Sequence, residues 1–276
     1  MILVAGGSGR LGTLVVRRLA RDGHDVRVLT RDPARAQHLS DVAEVVVGDV
    51  RDPSTLPGAL HGVTTVVSAV HGFDGPGGVT PASVDRDGNA RLIDAAAAAG
   101  ADVVLVSIVG AAADSPMELF RAKYAAEQHL RASTAPWTIV RATAFVELWA
   151  DILAKPMVFG RGDNPINFVS VHDVAAVVAR AAVDTGLRGQ TLDVGGPNNL
   201  TFTQLVAELQ SLRGDTRTVR HIPRAMLRVM SPLSRKAATA LAMDTTDLRF
   251  DPTASPNAVV DLPLTDARTA LEASVR

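Results

Sequence analysis

The chain has 276 residues, of which 47% are hydrophobic and 21% are charged, so it can bury the core of one large α/β domain. Its formal net charge of −1 gives no electrostatic reason to expect a nucleic acid or a membrane as a partner. Because the chain contains no cysteine, disulfides, thiolate metal sites and cysteine nucleophiles are excluded. No carboxylate or histidine cluster has metal-ligand spacing, and no bound metal is expected.

Short β-branched runs alternate with longer helical stretches through the first two thirds of the chain. Strands are predicted at residues 2–5, 25–29, 44–47, 65–69, 102–107 and 137–141. Helices are predicted between them at residues 12–22, 33–39, 53–60, 84–99 and 115–133. The strands are continuous apolar runs, which is typical of a parallel sheet covered on both faces. The alternation therefore predicts an α/β fold with a doubly wound parallel Rossmann sheet.

The last third of the chain is less regular. Strand signals occur at 167–171 and 191–194, and residues 220–243 look helical with one apolar side, typical of core or of a substrate lid. We expect a Rossmann domain over 1–150, its sheet completed by segments around 165–195, and a small substrate-binding region over 151–276. The chain opens on MILVAGG, without a basic or cleavable apolar leader, and a cytoplasmic protein is expected.

A glycine-rich turn follows the first predicted strand. Gly6, Gly9 and Gly12 are spaced G-x-x-G-x-x-G, and a helix is predicted to begin there. Glycine is needed where the chain turns tightly, where backbone approaches a pyrophosphate and where the helix packs on the strand. Backbone N–H groups at the helix N-terminus then face the anion. Between the first strand and first helix of a βαβ unit, this spacing predicts a dinucleotide site.

The end of the second strand predicts which dinucleotide binds. NAD sites usually carry an acid there for the ribose hydroxyls, whereas this strand ends in Thr30 and Arg31. A guanidinium suits a 2′-phosphate, and Arg10 could add a second cation. The alternative is that Arg31 is a solvated surface residue. Asp32 starts an Asp-Pro turn and is expected to cap the next helix. We predict NADP(H) as the cofactor.

Two further strand ends are placed to meet a cofactor. Asp49 and Val50 follow the third strand, where a carboxylate can reach the adenine amino group, although helix capping explains the nearby acids almost equally well. Ala69 and Val70 follow the fourth strand, where small residues let a cofactor lie against the backbone.

Together these segments resemble the NmrA-like, NAD(P)H-binding branch of the extended and atypical short-chain dehydrogenases/reductases. The resemblance covers about three quarters of the chain. It rests on VAGGSGRLG at 4–12, VRVLTRDP at 26–33, VVGDVRD at 46–52, VDRDGNARLIDAAAAAG at 84–100, the lysine of FRAKYAAEQHL, WTIVRATAFVE at 137–147, NFVSVHDVAAV at 167–177 and LDVGGPNNLTFTQL at 192–205.

The resemblance implies a Rossmann domain with a small C-terminal substrate-binding portion, in a branch that includes quinone, azo and enone-type reductases. It implies that Lys123 reaches the nicotinamide ribose and that the loop from Thr143 to Phe145 borders the nicotinamide. The other residues to which the resemblance assigns the cofactor are Gly6, Ser8, Gly9, Arg10, Leu11, Arg31, Asp49, Val50 and Ala69, with Gly12 and Val70 beside them.

The active-site pattern departs from that of the parent superfamily. There, a tyrosine four residues before the lysine supplies a proton, and a serine after the preceding strand holds the substrate oxygen. Ser107 is in the serine position, but Leu119 stands in the tyrosine position and has no proton to give. The only tyrosine, Tyr124, lies one residue beyond Lys123, and a rotation of about 100° per residue turns it to another helix face. Tyr124 is expected to be a packing residue.

An acid could come from elsewhere. His71, just past the fourth strand, and His172, in a late segment, are candidates, although either could be structural. The loop 71–81 carries four glycines and could close over a substrate or be an ordinary surface loop. An apolar substrate pocket is expected from Phe145, Leu148, Trp149 and residues 222–233, which include Met226, with His71 nearby.

The leading hypothesis is an NADPH-dependent reductase of a small conjugated or quinone-like molecule, with Lys123, Ser107 and His71 as catalytic candidates. The alternative is a non-catalytic dinucleotide-binding redox sensor, which the missing tyrosine favours. A sugar-nucleotide epimerase also lacks its tyrosine and a basic pocket for a second diphosphate. The sequence leaves the oligomeric state open, and a homodimer is one possibility, since the helices at 84–99 and 115–133 correspond to the dimer face in many relatives of the superfamily.

Overall fold

The computed structural model describes residues 1–73, 77–259 and 261–275. The chain forms two compact units. The first contains Met1–Arg141 and Val174–Leu192, and the second contains Ala142–Asp173 and Asp193–Arg276. The chain therefore passes between the units after residues 141, 173 and 192. The sequence-based division, a Rossmann domain over 1–150 completed by segments around 165–195 and a substrate-binding region over 151–276, stays a prediction.

The first unit is built on a seven-stranded sheet. Its strands are β1 (Ile2–Ala5), β2 (Val26–Thr30), β3 (Glu44–Val47), β4 (Thr65–Ser68), β5 (Asp102–Ile108), β6 (Trp137–Ala142) and β10 (Gln190–Val194). Their order is β10-β6-β5-β4-β1-β2-β3, and β3, β2, β1, β4 and β5 pair in parallel. The reversal of strand order at β1 and β4 is the switch point where doubly wound folds bind ligands. The predicted Rossmann-type α/β fold is confirmed.

Helices cover this sheet. They are α1 (Arg10–Arg21), α2 (Leu56–Ala59), α3 (Asp87–Ala98), α4 (Glu118–Ala132) and most of α6 (Val171–Val183). All four residues of β1 are buried, as expected for a central strand with helices on both faces. On one side, Leu92 of α3 and Leu130 of α4 pack with Leu3 and Leu105 of the sheet in one apolar cluster.

Parts of three predicted helices are 3₁₀ or π helices instead of α-helices. Residues Pro33–Leu39 and Pro53–Thr55 are 3₁₀ helices, and Asp32 and Asp52 cap them by accepting hydrogen bonds from backbone N–H groups. Pro81–Arg86, at the start of the helix predicted at 84–99, is a π-helical turn that runs directly into α3.

The strand β3 shows where the sequence pattern overstates burial. Its EVVV run suggested a strand covered on both faces, but β3 lies at the sheet edge and Val47 is 63% exposed. An edge strand has one neighbour and less helix cover, so its apolar residues stay accessible.

The second unit contains two small sheets. One has the order β11-β9-β7 and the other pairs β12 with β8 in parallel. The strands are β7 (Ala144–Phe145), β8 (Met157–Phe159), β9 (Ile166–Val169), β11 (Asn199–Leu200) and β12 (Arg220–Ile222), and the helices are α5 (Val146–Ile152), α7 (Phe202–Arg213), α8 (Arg224–Met230), α9 (Arg235–Met243) and α10 (Ala267–Val275). Of the segment 165–195, β10 joins the main sheet, whereas β9 lies in the three-stranded one.

The stretch 220–243 is a strand and two short helices, so the predicted continuous helix is wrong. Pro223 precedes α8 and Pro232 separates α8 from α9. Proline cannot donate the backbone hydrogen bond that a helix interior requires. Leu227 is buried, but Val229 is 77% exposed and Leu233 is 94% exposed, so much of the apolar side is not core.

Within residues 1–73, 77–259 and 261–275, no helix has the length and apolar character needed to cross a bilayer.

Leu130→Ala should lower the free energy of unfolding by about 2–5 kcal/mol, because it removes a fully buried side chain and leaves a cavity. Leu233→Ala, which truncates an exposed leucine, should change it by less than about 0.5 kcal/mol. Urea unfolding followed by circular dichroism checks both values. Equal effects of the two substitutions would contradict the assigned core.

Candidate functional site

The turn between β1 and α1 has no room for side chains. Gly6 has a φ of +80°, and a Cβ there would lie 2.6 Å from the carbonyl oxygen of Ala69, just after β4. A Cβ on Gly12 would lie 2.2 Å from the carbonyl oxygen of Gly6. Both distances are below van der Waals contact, so these positions require glycine. The turn therefore packs closely on the backbone at the end of β4.

The same turn presents the N-terminus of α1. Gly9 is the N-cap residue and has no side chain to accept from the first helical N–H groups. Its own N–H donates to the Gly6 carbonyl oxygen at 3.0 Å. Ser8 is half-buried, Arg10 is exposed and Leu11 is buried. Without a capping side chain, the positive end of the helix can receive an anion, and the residues fit the pyrophosphate of a dinucleotide.

Arg31 lies immediately after β2 and is exposed. Across residues 1–73, 77–259 and 261–275, its guanidinium makes no hydrogen bond or ion pair. Its positive charge nevertheless acts on Asp49, whose pKa it helps to lower. The side chain is therefore a cation at the carboxyl end of the sheet that no described carboxylate neutralises by direct contact.

Asp49, predicted to reach the adenine amino group, is held by Arg51. Asp49 Oδ2 accepts from Arg51 Nη2 at 2.7 Å, and Oδ1 accepts from the Arg51 backbone N–H at 2.8 Å. Burial acts to raise the pKa of the Asp49 carboxyl group, but the Arg51 hydrogen bonds and charge and the charge of Arg31 bring it below its ordinary value. Val50 beside it is buried. The adenine contact stays a prediction.

Lys123, on α4, is buried and its ammonium group is already partnered. Nζ donates to the carbonyl oxygens of Val70, at 3.1 Å, and Val106, at 3.0 Å. It also lies 3.0 Å from Asp85 Oδ1. This third contact is an ion pair without hydrogen-bond geometry, since Asp85 Oδ1 has no hydrogen-bond partner. Lys123 therefore joins α4 to the ends of β4 and β5. Its predicted contact with the nicotinamide ribose stays a prediction.

Asp85 is fully buried on the π-helical turn Pro81–Arg86. Burial acts to raise the pKa of its carboxyl group, but the charge of Lys123 and an interaction with His71 hold that pKa below the ordinary 3.8. His71 Nδ1 lies 3.9 Å from Asp85 Oδ1, and the His71 side chain is 52% exposed. His71, Asp85 and Lys123 therefore form one cluster of titratable side chains at the carboxyl end of the sheet.

Ser107 is buried and its hydroxyl is engaged. Oγ donates to Glu127 Oε1 at 2.5 Å. The same carboxylate accepts from Arg141 Nε at 2.8 Å and Nη2 at 2.6 Å. A hydroxyl that donates to a buried carboxylate has no second proton to donate to a substrate oxygen. In this structure Ser107 is part of a structural network between β5, α4 and β6.

The vacant acid position at Leu119 stays a prediction. Leu119 and Tyr124 are both half-buried on α4. Within the described residues, the Tyr124 hydroxyl makes no hydrogen bond. Its neighbour Lys123 is 4% exposed, so the two side chains are in different environments.

Several predicted site residues lie in the second unit. Thr143 donates from Oγ1 to Asn167 Oδ1 at 2.9 Å, and Phe145 belongs to β7 beside β9. Trp149 packs on Phe202 with ring centroids 4.5 Å apart. Met226 on α8 is 46% exposed. Their roles toward the nicotinamide and the substrate stay predictions.

The remaining predicted features are His172, the loop 71–81 and the expectation of no bound metal. His172 is exposed near the start of α6. Residues 74–76 of the predicted loop 71–81 lie outside the described part of the chain. Among the described residues, no group of three or more histidine, aspartate or glutamate side chains could hold a metal ion.

Sequence reasoning missed the buried acids Asp85 and Glu127. Both lie in helical segments where an acid looks like part of a solvated face. Asp85 stands inside the quoted VDRDGNARLIDAAAAAG segment, one residue after an apolar valine, and Glu127 is four residues beyond Lys123. The spacing between Lys123 and Glu127, which places both on one face of α4, was the available signal.

Asp85→Ala should lower the free energy of unfolding by about 3–5 kcal/mol at neutral pH, because it leaves the buried Lys123 ammonium without a counter-charge. Adding Lys123→Met should recover most of that loss. Because the folded pKa of Asp85 is depressed, the stabilisation is present above its unfolded value of 3.8 and is lost as the pH falls through the folded pKa.

Asp94→Ala, at an exposed pair with His129, is the matched control and should have little effect in the same urea titrations. A double variant no more stable than Asp85→Ala would contradict the pairing.

Comparison with known proteins agrees with this geometry. A family profile described as NAD(P)H-binding matches residues 6–185. The NAD(P)H azoreductase of Xenophilus azovorans is 33% identical over 230 residues, covering 80% of this chain and 76% of that protein. Photosystem II assembly factor Ycf39 of Synechocystis is 29% identical over 244 residues, covering 85% and 74%.

Among solved structures, the NADPH-dependent quinone oxidoreductase QOR2 of Escherichia coli, complexed with NADPH, superposes with a TM-score of 0.79. It is 25% identical, with 100% of both chains covered. The family profile spans more than half of this chain and includes the glycine turn, Arg31, Asp85 and Lys123. The resemblance seen in the sequence is thereby confirmed, and the chain belongs to the NAD(P)H-binding family.

Proposed function

We propose that this protein is an NADPH-dependent reductase of small conjugated or quinone-like molecules. The observation that carries the proposal is the glycine-only turn between β1 and α1, which leaves an uncapped helix N-terminus at the switch point of the sheet. A bound nicotinamide would supply a hydride. The family match and the reductases among the relatives support the oxidoreductase class.

The cofactor is proposed to bind along the carboxyl edge of the first unit. The pyrophosphate would meet the backbone of the turn, and Arg31 would pair with a 2′-phosphate through charge-assisted hydrogen bonds. The exposed, uncompensated guanidinium of Arg31 supports NADPH over NADH. The residues proposed to contact the cofactor are Gly6, Ser8, Gly9, Arg10, Leu11, Gly12, Arg31, Asp49, Val50, Ala69, Val70 and Lys123, with Thr143 and Phe145 proposed from the resemblance alone.

The choice of substrate class follows from the two positions that usually serve the carbonyl oxygen, neither of which can donate a proton here. Leu119 cannot give a proton, and the Ser107 hydroxyl already donates to Glu127. Reduction of an unactivated ketone needs a strong proton donor beside the carbonyl oxygen. A quinone or other electron-poor conjugated acceptor needs less acid assistance, because its reduced anion is delocalised. The azoreductase and the quinone oxidoreductase among the relatives act on acceptors of this kind.

A second candidate is a dinucleotide-binding protein without turnover. Ycf39 is named as an assembly factor and not as a reductase. The buried, fully partnered Lys123 is also compatible with a binding role. Association with a second copy through α3 and α4, which correspond to the dimer face in many relatives of the superfamily, would fit either function.

Purified protein should oxidise NADPH in the presence of at least one member of a panel of quinones, azo dyes and enones. Gly12→Ala should abolish both NADPH binding and turnover, because its Cβ would collide with the Gly6 carbonyl oxygen. Gly58→Ala is the control, since a Cβ there meets nothing within 4 Å. NADPH binding by fluorescence titration without turnover on any acceptor would favour the non-catalytic candidate.

Arg31→Ala should weaken NADPH binding about 10- to 100-fold, equivalent to about 1.5–3 kcal/mol, and leave NADH binding unchanged. The reason is that only NADPH carries the 2′-phosphate. Arg213→Ala, at an exposed arginine of the second unit, should change neither affinity. Equal affinities of the wild-type protein for NADH and NADPH, or an unchanged NADPH affinity in Arg31→Ala, would disprove the cofactor assignment.

A further inference from the structure

The proposed reduction needs a proton whose source is not yet assigned. Adding a hydride to a neutral quinone gives an anion, and one proton completes the hydroquinone. The usual donor position holds Leu119. Tyr124 lies on another face of α4, and Ser107 donates its proton to Glu127. The donor must therefore be sought among other groups at the carboxyl end of β4 and β5.

His71 has the required chemistry and location. It follows β4 by three residues and lies next to Val70, whose carbonyl oxygen accepts from Lys123. Its Nδ1 is the ring atom nearest Asp85 Oδ1, at 3.9 Å, while the side chain is 52% exposed. The ring stacks on Phe73 with an interplanar angle of 13°. With Nδ1 facing the buried carboxylate, Nε2 at the other side of the ring is left to meet a substrate.

The backbone beside His71 is fixed. The Gly72 N–H donates to Asp85 Oδ2 at 2.8 Å. A Cβ on Gly72 would lie 2.5 Å from the carbonyl oxygen of Thr80, so this segment packs tightly on the π-helical turn. Isolated π-helical turns occur frequently at functional sites. One carboxylate, Asp85, therefore anchors the chain next to His71 and faces its ring.

Asp85 can also orient the His71 ring. Lys123 keeps the carboxylate ionised, and an ionised carboxylate accepts a hydrogen bond from a ring N–H. Asp85 Oδ1 makes no hydrogen bond in hydrogen-bond geometry, so it keeps a lone pair for the His71 Nδ1–H. Among the described residues, the charged groups facing His71 are Asp85 from the π-helical turn and, behind it, Lys123 from α4.

We propose that His71 is the proton donor of the reductase and that Asp85 is its positioning residue. The inference rests on the proposed function. As a hydride adds to the acceptor, the Nε2–H bond of the imidazolium breaks and its proton goes to the acceptor oxygen that becomes anionic. Neutral His71 then takes a proton from water, which reaches the half-exposed side chain. One hydride and one proton convert a quinone to a hydroquinone.

The test measures quinone reduction and NADPH binding separately. His71→Ala should lower kcat about 100-fold, within the range for loss of a general acid, with the NADPH dissociation constant unchanged in fluorescence titrations. Added imidazole should restore part of the rate, and more strongly at lower pH, because the imidazolium carries the proton. His129→Ala is the matched control, since His129 also pairs with an aspartate, Asp94, but at an exposed position.

A second variant tests the positioning role. Asp85→Asn should lower kcat and leave the NADPH dissociation constant unchanged, because the His71 ring loses the carboxylate that faces its Nδ1, and Asp85→Glu should recover part of the rate. A merely structural role would weaken NADPH binding together with the rate, and Asp85→Glu would not restore the rate.

The outcomes separate the two claims. Wild-type turnover that His71→Ala leaves intact, or a loss that imidazole does not rescue, would overturn the role of His71 and leave the reductase standing. Loss of NADPH binding in His71→Ala would assign His71 to the cofactor instead and also overturn it. Wild-type protein that reduces no acceptor would remove the proposed function and this inference with it.

Discussion

The buried ion pair between Lys123 and Asp85 is the interaction on which the candidate site depends. Lys123 also donates to the ends of β4 and β5, so one ammonium group connects two neighbouring strands, α4 and the π-helical turn. Removing two charges from water is costly, and the pair is tolerated because each charge has further polar partners. The arrangement joins the backbone at Gly72, the end of β4 and the π-helical turn to one another.

The glycine turn places a second constraint on the same edge of the sheet. Gly6 and Gly12 bring the turn and α1 against the end of β4 at distances that no side chain could allow. A positively polarised helix end therefore lies at the same edge of the sheet as Arg31, whose guanidinium has no hydrogen bond or ion pair with any described residue. Electrostatics and packing therefore favour a dinucleotide with a 2′-phosphate at one end of the site. The cluster of His71, Asp85 and Lys123 lies at the other end. These two features explain why the family match and the local geometry agree.

Much of this could be predicted from the sequence because its signals are local. The strands β1 and β3 and the glycine turn come from contiguous residues, and the buried parallel strands have an unmistakable apolar pattern. The extent of burial at β3 could not be predicted, since it depends on which strand lies at the edge. A continuous helix was predicted over 220–243 because of its apolar spacing, but Pro232 separates two short helices there.

The predicted roles of individual polar residues were harder to judge. Ser107 occupies the expected position, but its hydroxyl binds Glu127, a partner 20 residues away on another element. Arg141 completes that network from a third element. Such partners become neighbours only through the fold. The same applies to Asp85. It stands 14 residues after His71 in the sequence and becomes its neighbour only through the fold.

The central claim is tested most directly by a crystal structure of the protein with NADP⁺ and a quinone bound. The account predicts the pyrophosphate against the backbone N–H groups at the start of α1, the 2′-phosphate on Arg31 and the quinone oxygen within hydrogen-bond distance of His71 Nε2. A dinucleotide bound away from the glycine turn, or a 2′-phosphate that does not meet Arg31, would contradict it.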